Sequence, residues 1–193
     1  MRAERSTQMV EDKIIIAGFG GQGVLRIGQM IAYCGLEEGK EVSFLPSYGS
    51  EMRGGTCNCA VYVCDEAVSC PIIRTPNVLI VMNQLSLDKF QSKLKAGGIM
   101  IINSSIVTAK TNRDDVRAYY VPAVDIALKA GNDRGVNMVM LGAYLALSDS
   151  VSMEAIFNNI DHSFTGRKAK YAESNKSLVK QGYDYIRETY PEA

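Results

Sequence analysis

A short apolar run that leads directly into closely spaced glycines constrains the fold of this chain more than any other feature. Residues 14–17 read Ile-Ile-Ile-Ala, and Gly18, Gly20 and Gly23 then form a GxGxxG pattern ahead of an amphipathic segment. This order predicts a buried strand, a tight turn and a helix whose N-terminus offers unpaired backbone N–H groups to an anion. The same turn also occurs where a helix only has to pack closely on its strand, so the motif by itself fixes no ligand.

A second glycine-rich segment follows the next predicted strand. Residues 47–55 read Ser-Tyr-Gly-Ser-Glu-Met-Arg-Gly-Gly, which places Arg53 beside two glycines. A guanidinium in that setting binds a phosphate or carboxylate through a bidentate fork. The structural alternative is that Arg53 pairs with Glu51 or with loop carbonyls and only pins the connection. Tyr48 fits either a planar ligand or the core, and the sequence does not separate the two.

Composition limits the classes of function. The chain has 193 residues, of which 47% are hydrophobic, and its 21 basic residues balance its 21 acidic ones. We expect one domain over residues 13–193 with a flexible N-terminal segment at 1–12. The balanced charge argues against nucleic acid as a partner. No apolar run is long enough to span a membrane, and the polar N-terminus is unlike a signal peptide, so we expect a cytoplasmic protein.

Alternating strand and helix signals predict a three-layer α/β fold with a mixed, mostly parallel sheet and a Rossmann-like glycine-rich first turn. Asn103 ends one predicted strand at the edge where such folds bind ligands. The segment 56–64 alternates as an antiparallel or edge-neighbouring strand, with 67–73 as its hairpin partner. The other predicted strands are 13–17, 41–45, 78–82, 99–102 and 117–121. The predicted helices are 23–38, one capped by Ser86 and ended by the glycines at 97–98, then 124–130, 137–147, 152–160 and 168–189.

The cysteines and the single histidine indicate no chemistry of their own. The five cysteines form no CxxC pair, which argues against a zinc or iron–sulfur site. Cys57 and Cys59 fall on the same face of a predicted strand as Val61 and Val63, so we expect buried thiols there. His162 is expected in an exposed loop at 161–166, and its neighbour Asp161 does not make a catalytic triad. We therefore predict no catalytic residue and no metal ligand in this chain.

An ordinary dinucleotide site is disfavoured for a separate reason. In such sites an acidic residue at the end of the second strand holds the adenosine ribose. Residues 43–48 read Ser-Phe-Leu-Pro-Ser-Tyr, and no carboxylate follows until Glu51. A stand-alone nucleotide- or dinucleotide-binding module remains the alternative reading.

Taken together, the glycine segments at 18–23 and 47–55, the run at 76–82, the residues at 97–98 and 102–104 and the segment at 135–142 resemble one family. The chain is similar to the gamma subunit of 2-oxoacid:ferredoxin oxidoreductases over approximately residues 13–185. The resemblance implies a non-autonomous subunit of an enzyme that decarboxylates a 2-oxoacid oxidatively, forms an acyl-CoA and reduces ferredoxin. It implies alpha, beta and possibly delta partner subunits, with thiamine diphosphate and iron–sulfur clusters held in those partners.

The resemblance also implies a binding role for the two glycine segments, through contact with coenzyme A or through assembly. Because coenzyme A carries a diphosphate and a 3′-phosphate, a glycine turn and an arginine suit it. Replacement of Arg53 by alanine is then expected to raise the KM for coenzyme A more than that for the 2-oxoacid. The form of the second segment favours 2-oxoglutarate as the 2-oxoacid. The candidate residues are Gly18, Gly20, Gly21, Gln22, Gly23, Ser47, Tyr48, Ser50, Glu51, Arg53, Gly54, Gly55 and Asn103.

Overall fold

A six-stranded sheet forms the centre of the protein, with strand order β2-β3-β1-β4-β5-β6. The computed structural model describes residues 11–48, 55–66 and 70–193. Neighbouring strands run parallel from β1 through β4 and β5 to β6, whereas β3 is antiparallel to both β1 and β2. The strands are β1 Glu11–Phe19, β2 Glu41–Tyr48, β3 Thr56–Cys64, β4 Val78–Val81, β5 Ile99–Asn103 and β6 Arg117–Val121.

Helices cover the two faces of this sheet unequally. Side chains of α1, α3, α4, α5 and α6 pack on one face of the sheet and form the larger core. Side chains of α2, together with Leu94 and Val107, pack on the other face and form the smaller core. The predicted three-layer, mostly parallel α/β arrangement is confirmed. The helices are α1 Val24–Glu37, α2 Gln84–Phe90, α3 Ala123–Lys129, α4 Val136–Leu147, α5 Met153–Ser163 and α6 Ala172–Thr189, with 3-10 turns at Gln91–Lys93, Asp133–Gly135 and Gly166–Tyr171.

The strand β3 is antiparallel, as predicted, but it lies inside the sheet. Its two edges pair with β1 and β2, so no edge is left for a hairpin partner. The predicted strand at 67–73 is therefore wrong for Cys70–Ile73, which the structure shows as irregular chain, and residues 67–69 lie outside the described part. The alternation itself is confirmed, because Cys57 and Cys59 are buried toward the larger core.

Three local predictions also need correction. The strand β1 begins at Glu11 rather than Lys13, because it pairs with β3 from that residue onward. The helix α2 is capped by Asn83, whose side chain accepts the backbone N–H of Ser86, so Ser86 is not itself the cap. The helix α5 continues to Ser163, which places His162 in its last turn rather than in a loop.

Candidate functional site

The glycine turn joins β1 to α1 at the carboxyl edge of the sheet. Gly21 and Gly23 have φ values of +101° and +75°, a region that favours glycine. A Cβ on Gly23 would lie 2.5 Å from Nδ2 of Asn137 on α4, and one on Gly18 would lie 2.8 Å from Cβ of Met82. Gly18 and Gly23 are therefore required for packing. A Cβ on Gly21 would have no neighbour within 4 Å, so the tip of the turn is open.

The first turn of α1 presents backbone donors that have no acceptor among the described residues. Gly23 is the N-cap and makes no side-chain capping bond, and the first turn holds no acidic residue. The earliest bond of the helix runs from Ile27 N–H to the Gly23 carbonyl, so the three preceding N–H groups point out of the helix end. A helix of 14 residues adds the positive end of its dipole at this point. This end of the helix therefore suits an anion.

These donors border a cavity of about 280 Å³, which we call the glycine cavity. Arg26 is the only charged residue among the described residues that line it, and Tyr48 and Thr56 border it on the β2 and β3 side. The backbone N–H of Gly20 donates to the carbonyl of Gly55 at 3.0 Å, so the first glycine turn contacts the end of the second segment. The residues that line the cavity are Phe19, Gly20, Gly21, Gly23, Val24, Leu25, Arg26, Tyr48, Thr56 and Cys57.

A second cavity, of about 300 Å³, lies on the other side of Arg26, and we call it the asparagine cavity. The guanidinium of Arg26 lies 5.7 Å from the centre of the Phe164 ring, a cation–π distance. Asn137, which contacts the glycine turn at Gly23, is part of the same wall. The lining residues are Arg26, Asn132, Arg134, Asn137, Met138, Phe164, Tyr171 and Asn175.

Gln22 fills the crevice between the carboxyl ends of β1 and β4. Its Oε1 accepts hydrogen bonds from the Phe19 N–H at 2.7 Å and from the Asn83 side chain at 3.1 Å, and its Nε2 donates to the Met82 carbonyl at 3.3 Å. The chain leaves β1 toward one side of the sheet and leaves β4 toward the other, so this crevice is the switch point at which doubly wound folds bind dinucleotides. Here a protein side chain occupies that position.

The structure brings together only some of the predicted site residues. Gly20, Gly21, Gly23 and Tyr48 line the glycine cavity, and Gly55 contributes a carbonyl to its turn. Ser47 is exposed at the end of β2 and does not line the cavity. Asn103 is fully buried at the end of β5, and its side-chain atoms have no hydrogen-bond partner among the described residues. Four further candidates, Ser50, Glu51, Arg53 and Gly54, lie outside the described residues.

Sequence reasoning missed Arg26, Arg134 and Asn137. Arg26 carried a usable signal, because a basic residue in the first turn of a helix opposes the dipole and so needs another reason to be there. Arg134 and Asn137 carried no such signal. They join the site only because α4 packs beside α1, which is a tertiary contact.

The remaining reactive residue types offer no competing centre in the part of the chain that the structure describes. Burial raises the pKa of Cys34 and of Cys59 to about 12, so these thiols stay protonated at neutral pH. His162 is exposed on α5. The described residues hold no cluster of three or more histidine, cysteine or acidic side chains suited to a metal ion. Among them, no helix combines the length and apolar character that crossing a bilayer requires.

The strand order, the uncapped helix at the carboxyl edge and the filled switch point define an α/β domain that resembles a nucleotide-binding fold but places its cavity elsewhere. The family model described as pyruvate ferredoxin/flavodoxin oxidoreductase matches residues 13–185, and the chain belongs to that family. The resemblance drawn from the glycine segments is thereby confirmed.

Two curated relatives show different coverage. The chain is 41% identical over 179 residues to ketoisovalerate oxidoreductase subunit VorA of Methanothermobacter thermautotrophicus, covering 92% of this chain and 37% of VorA. It is 32% identical over 179 residues to 2-oxoglutarate synthase subunit KorC of Methanocaldococcus jannaschii, covering 91% of this chain and 94% of KorC. The chain thus spans little more than a third of the length of VorA.

Solved structures share the fold. The gamma subunit of a keto/oxoacid ferredoxin oxidoreductase from Geobacter sulfurreducens superimposes with a TM-score of 0.75 at 27% identity, covering 90% of this chain and 96% of that one. A 2-oxoglutarate:ferredoxin oxidoreductase from Magnetococcus marinus, with 2-oxoglutarate, coenzyme A and succinyl-CoA bound, gives a TM-score of 0.81 at 22% identity. The match covers 92% of this chain and 32% of that one, and at this identity it shows the fold alone.

Proposed function

We propose that this chain is the gamma component of a 2-oxoacid:ferredoxin oxidoreductase and that its glycine cavity binds the diphosphate of coenzyme A. The enzyme would decarboxylate a 2-oxoacid and form an acyl-CoA while ferredoxin is reduced. Partner subunits would hold the thiamine diphosphate and the iron–sulfur clusters. This division of labour agrees with a domain whose described residues offer phosphate-binding groups rather than a nucleophile or a base.

One observation carries the assignment of coenzyme A. The uncapped N-terminus of α1 borders the glycine cavity, and Arg26, which also lines this cavity, forms no ion pair with any described residue. Backbone N–H groups and a guanidinium together match the oxygen atoms of a diphosphate. Tyr48 and Phe19 supply an apolar rim for the rest of a long, partly apolar ligand.

The similarity values favour a branched-chain 2-oxoacid over 2-oxoglutarate. Identity is 41% to the ketoisovalerate subunit and 32% to the 2-oxoglutarate subunit over stretches of equal length. We therefore replace 2-oxoglutarate, which the second glycine segment favoured, with a branched-chain 2-oxoacid as the proposed substrate. We take ketoisovalerate as the substrate to test first.

The alternative, a stand-alone dinucleotide-binding module, is disfavoured by Gln22. Its side chain occupies the switch-point crevice and is hydrogen bonded to both flanking strands. A dinucleotide placed there would have to displace these bonds and leave the Phe19 N–H without its acceptor. The glycine cavity instead opens toward β2 and β3.

The test replaces Arg26 by alanine in the assembled enzyme. We expect the KM for coenzyme A to rise at least about tenfold, because a charge-assisted hydrogen bond to phosphate is lost. The KM for ketoisovalerate should stay within about twofold, since that substrate is not bound by this cavity. Both constants come from steady-state reduction of ferredoxin under anaerobic conditions.

Arg117 provides a matched control. It is an exposed arginine at the amino edge of the sheet, where its side chain donates to the carbonyl of Gly97. The Arg117→Ala enzyme should keep both constants. Equal KM values for coenzyme A in the Arg26→Ala enzyme and the wild type, with normal assembly, would contradict the proposal.

A further inference from the structure

Two arginines and three asparagines line the asparagine cavity. Arg26 and Arg134 both line it, and none of the described lining residues is acidic. Neither guanidinium forms an ion pair within the described residues; the nearby acidic residues Asp161 and Glu173 pair with Lys176 instead. Two unneutralised guanidinium groups beside one cavity indicate a site for an anion.

Hydrogen bonds orient the polar wall of this cavity. The amide of Asn132 donates to the hydroxyl of Ser174 at 3.0 Å and to Oδ1 of Asn175 at 3.3 Å. These bonds link the turn before α4 to the first turn of α6. The carboxamides therefore keep a fixed arrangement, as expected of a site that recognises a polar ligand.

Aromatic rings form a further part of the lining. Phe164 lies under the guanidinium of Arg26, and the ring of Tyr171 has the ammonium of Lys170 at 5.0 Å from its centre. Tyr171 is 47% exposed although it borders the cavity. A planar base can stack on such a ring while a phosphate meets the arginines.

The two cavities are adjacent. Arg26 belongs to both linings, and the glycine turn contacts Asn137 of the second cavity. In coenzyme A the 5′-diphosphate and the 3′-phosphate are attached to the same ribose. A diphosphate in the glycine cavity thus places the 3′-phosphate and the adenine within reach of the neighbouring cavity.

We propose that the asparagine cavity binds the 3′-phosphorylated adenosine of coenzyme A and that Arg134 selects coenzyme A over 3′-dephospho-coenzyme A. This inference rests on the proposed function, since it assumes that the diphosphate occupies the glycine cavity. Arg134 acts in specificity, because the 3′-phosphate lies at the opposite end of coenzyme A from the thiol that accepts the acyl group. Arg26 contacts the diphosphate, which both forms of the coenzyme contain.

The experiment compares the two coenzymes in the assembled enzyme. We expect the wild type to show a KM for coenzyme A at least about tenfold below that for 3′-dephospho-coenzyme A. The Arg134→Ala enzyme should lose this preference, because only the KM for coenzyme A rises. The Arg26→Ala enzyme should show a raised KM for both coenzymes. The Arg117→Ala enzyme serves again as the control.

Several outcomes would overturn the inference. A wild-type enzyme with equal KM values for the two coenzymes would do so, and so would an Arg134→Ala enzyme in which both constants rise together or neither rises. These results leave the proposed function intact as long as Arg26→Ala weakens the binding of coenzyme A. An enzyme whose activity needs no coenzyme A contradicts the proposed function instead.

A binding measurement covers the case in which the Arg134→Ala chain fails to assemble. The full wild-type chain is titrated by calorimetry with adenosine 3′,5′-bisphosphate and with adenosine 5′-monophosphate. We expect the bisphosphate to bind at least about tenfold more tightly. Equal affinity for the two nucleotides would overturn the inference without any variant.

Discussion

Charged groups at the two edges of the sheet differ in whether the protein supplies their partners. At the amino edge, the carboxylate of Asp12 is buried and accepts hydrogen bonds from the hydroxyls of Tyr144 and Ser148. At the carboxyl edge, Arg26 and Arg134 face cavities and have no ion-pair partner among the described residues. A charge whose partners come from the protein serves stability, whereas a charge without them indicates a ligand.

The network at the amino edge joins β1 to the end of α4. The hydroxyl of Tyr144 also forms a short hydrogen bond with Ser150, and the Ser148 hydroxyl accepts the Ser150 N–H. Burial, together with the nearby Asp12 carboxylate, holds the pKa of Tyr144 well above its ordinary value. All of these groups satisfy one another, so we assign them no role in binding.

The largest effect should follow from removal of the acceptor at the amino edge. We expect Asp12→Ala to lower the free energy of unfolding by about 3 kcal/mol, because two hydroxyls lose a charged acceptor. Urea unfolding of the isolated chain measures this loss. Asp114→Ala, at an exposed loop position, should change the same quantity by less than about 0.5 kcal/mol. A loss below about 1 kcal/mol for Asp12→Ala would weaken the contrast between the edges.

The next effect in size is a loss of stability at alkaline pH that comes from the buried thiols of Cys34 and Cys59. Burial raises the pKa of Cys34 and Cys59 from the ordinary 9.0 to about 12. Between these values the unfolded chain releases protons that the folded chain keeps, so stability is complete below pH 9 and falls as the pH rises toward 12. Each thiol contributes a slope of at most about 1.4 kcal/mol per pH unit.

Urea unfolding at a series of pH values measures this slope, and Cys59→Ala should reduce it. This variant tests the comparison between the edges because Cys59 lies inside the larger core, where its thiol donates to the carbonyl of Val24. A variant with the same slope as the wild type would show that this thiol does not contribute.

The smallest effect is expected at the carboxyl edge. We expect Arg26→Ala to change the free energy of unfolding by less than about 0.5 kcal/mol, because relief of the unfavourable dipole offsets the lost contact with Phe164. The same variant should bind coenzyme A poorly. Loss of binding together with a loss of stability above about 2 kcal/mol would instead make Arg26 a structural residue, like Asp12.

Local pattern in the sequence located all six strands and most of the helices, but it also predicted a strand at 67–73 that residues 70–73 do not form. The strand Arg117–Val121 matches its predicted bounds, and the predicted helix over 137–147 differs from α4 by one residue at its start. Alternation also identified the buried face of β3. It did not identify the neighbours of β3, because a strand with one buried face reads the same at an edge and inside a mixed sheet.

The candidate site was less accessible from sequence. The GxGxxG spacing located the turn, but it did not show that Gly18 and Gly23 serve packing or that the Gln22 side chain bonds to Met82. Those roles depend on β4 and α4, which lie far away in the chain. The chemistry that distinguishes this site, in Arg26 and Arg134, becomes visible only when α1, α4 and the start of α6 are assembled.

The position of β3 restricts what this domain can evolve into. Because β3 separates β2 from β1, the end of β2 lies two strand spacings, about 10 Å, from the strand that carries the glycine turn. An aspartate introduced at Ser47 would therefore start one strand farther from β1 than the ribose-binding acid of a dinucleotide fold, in which the second strand lies directly beside the first.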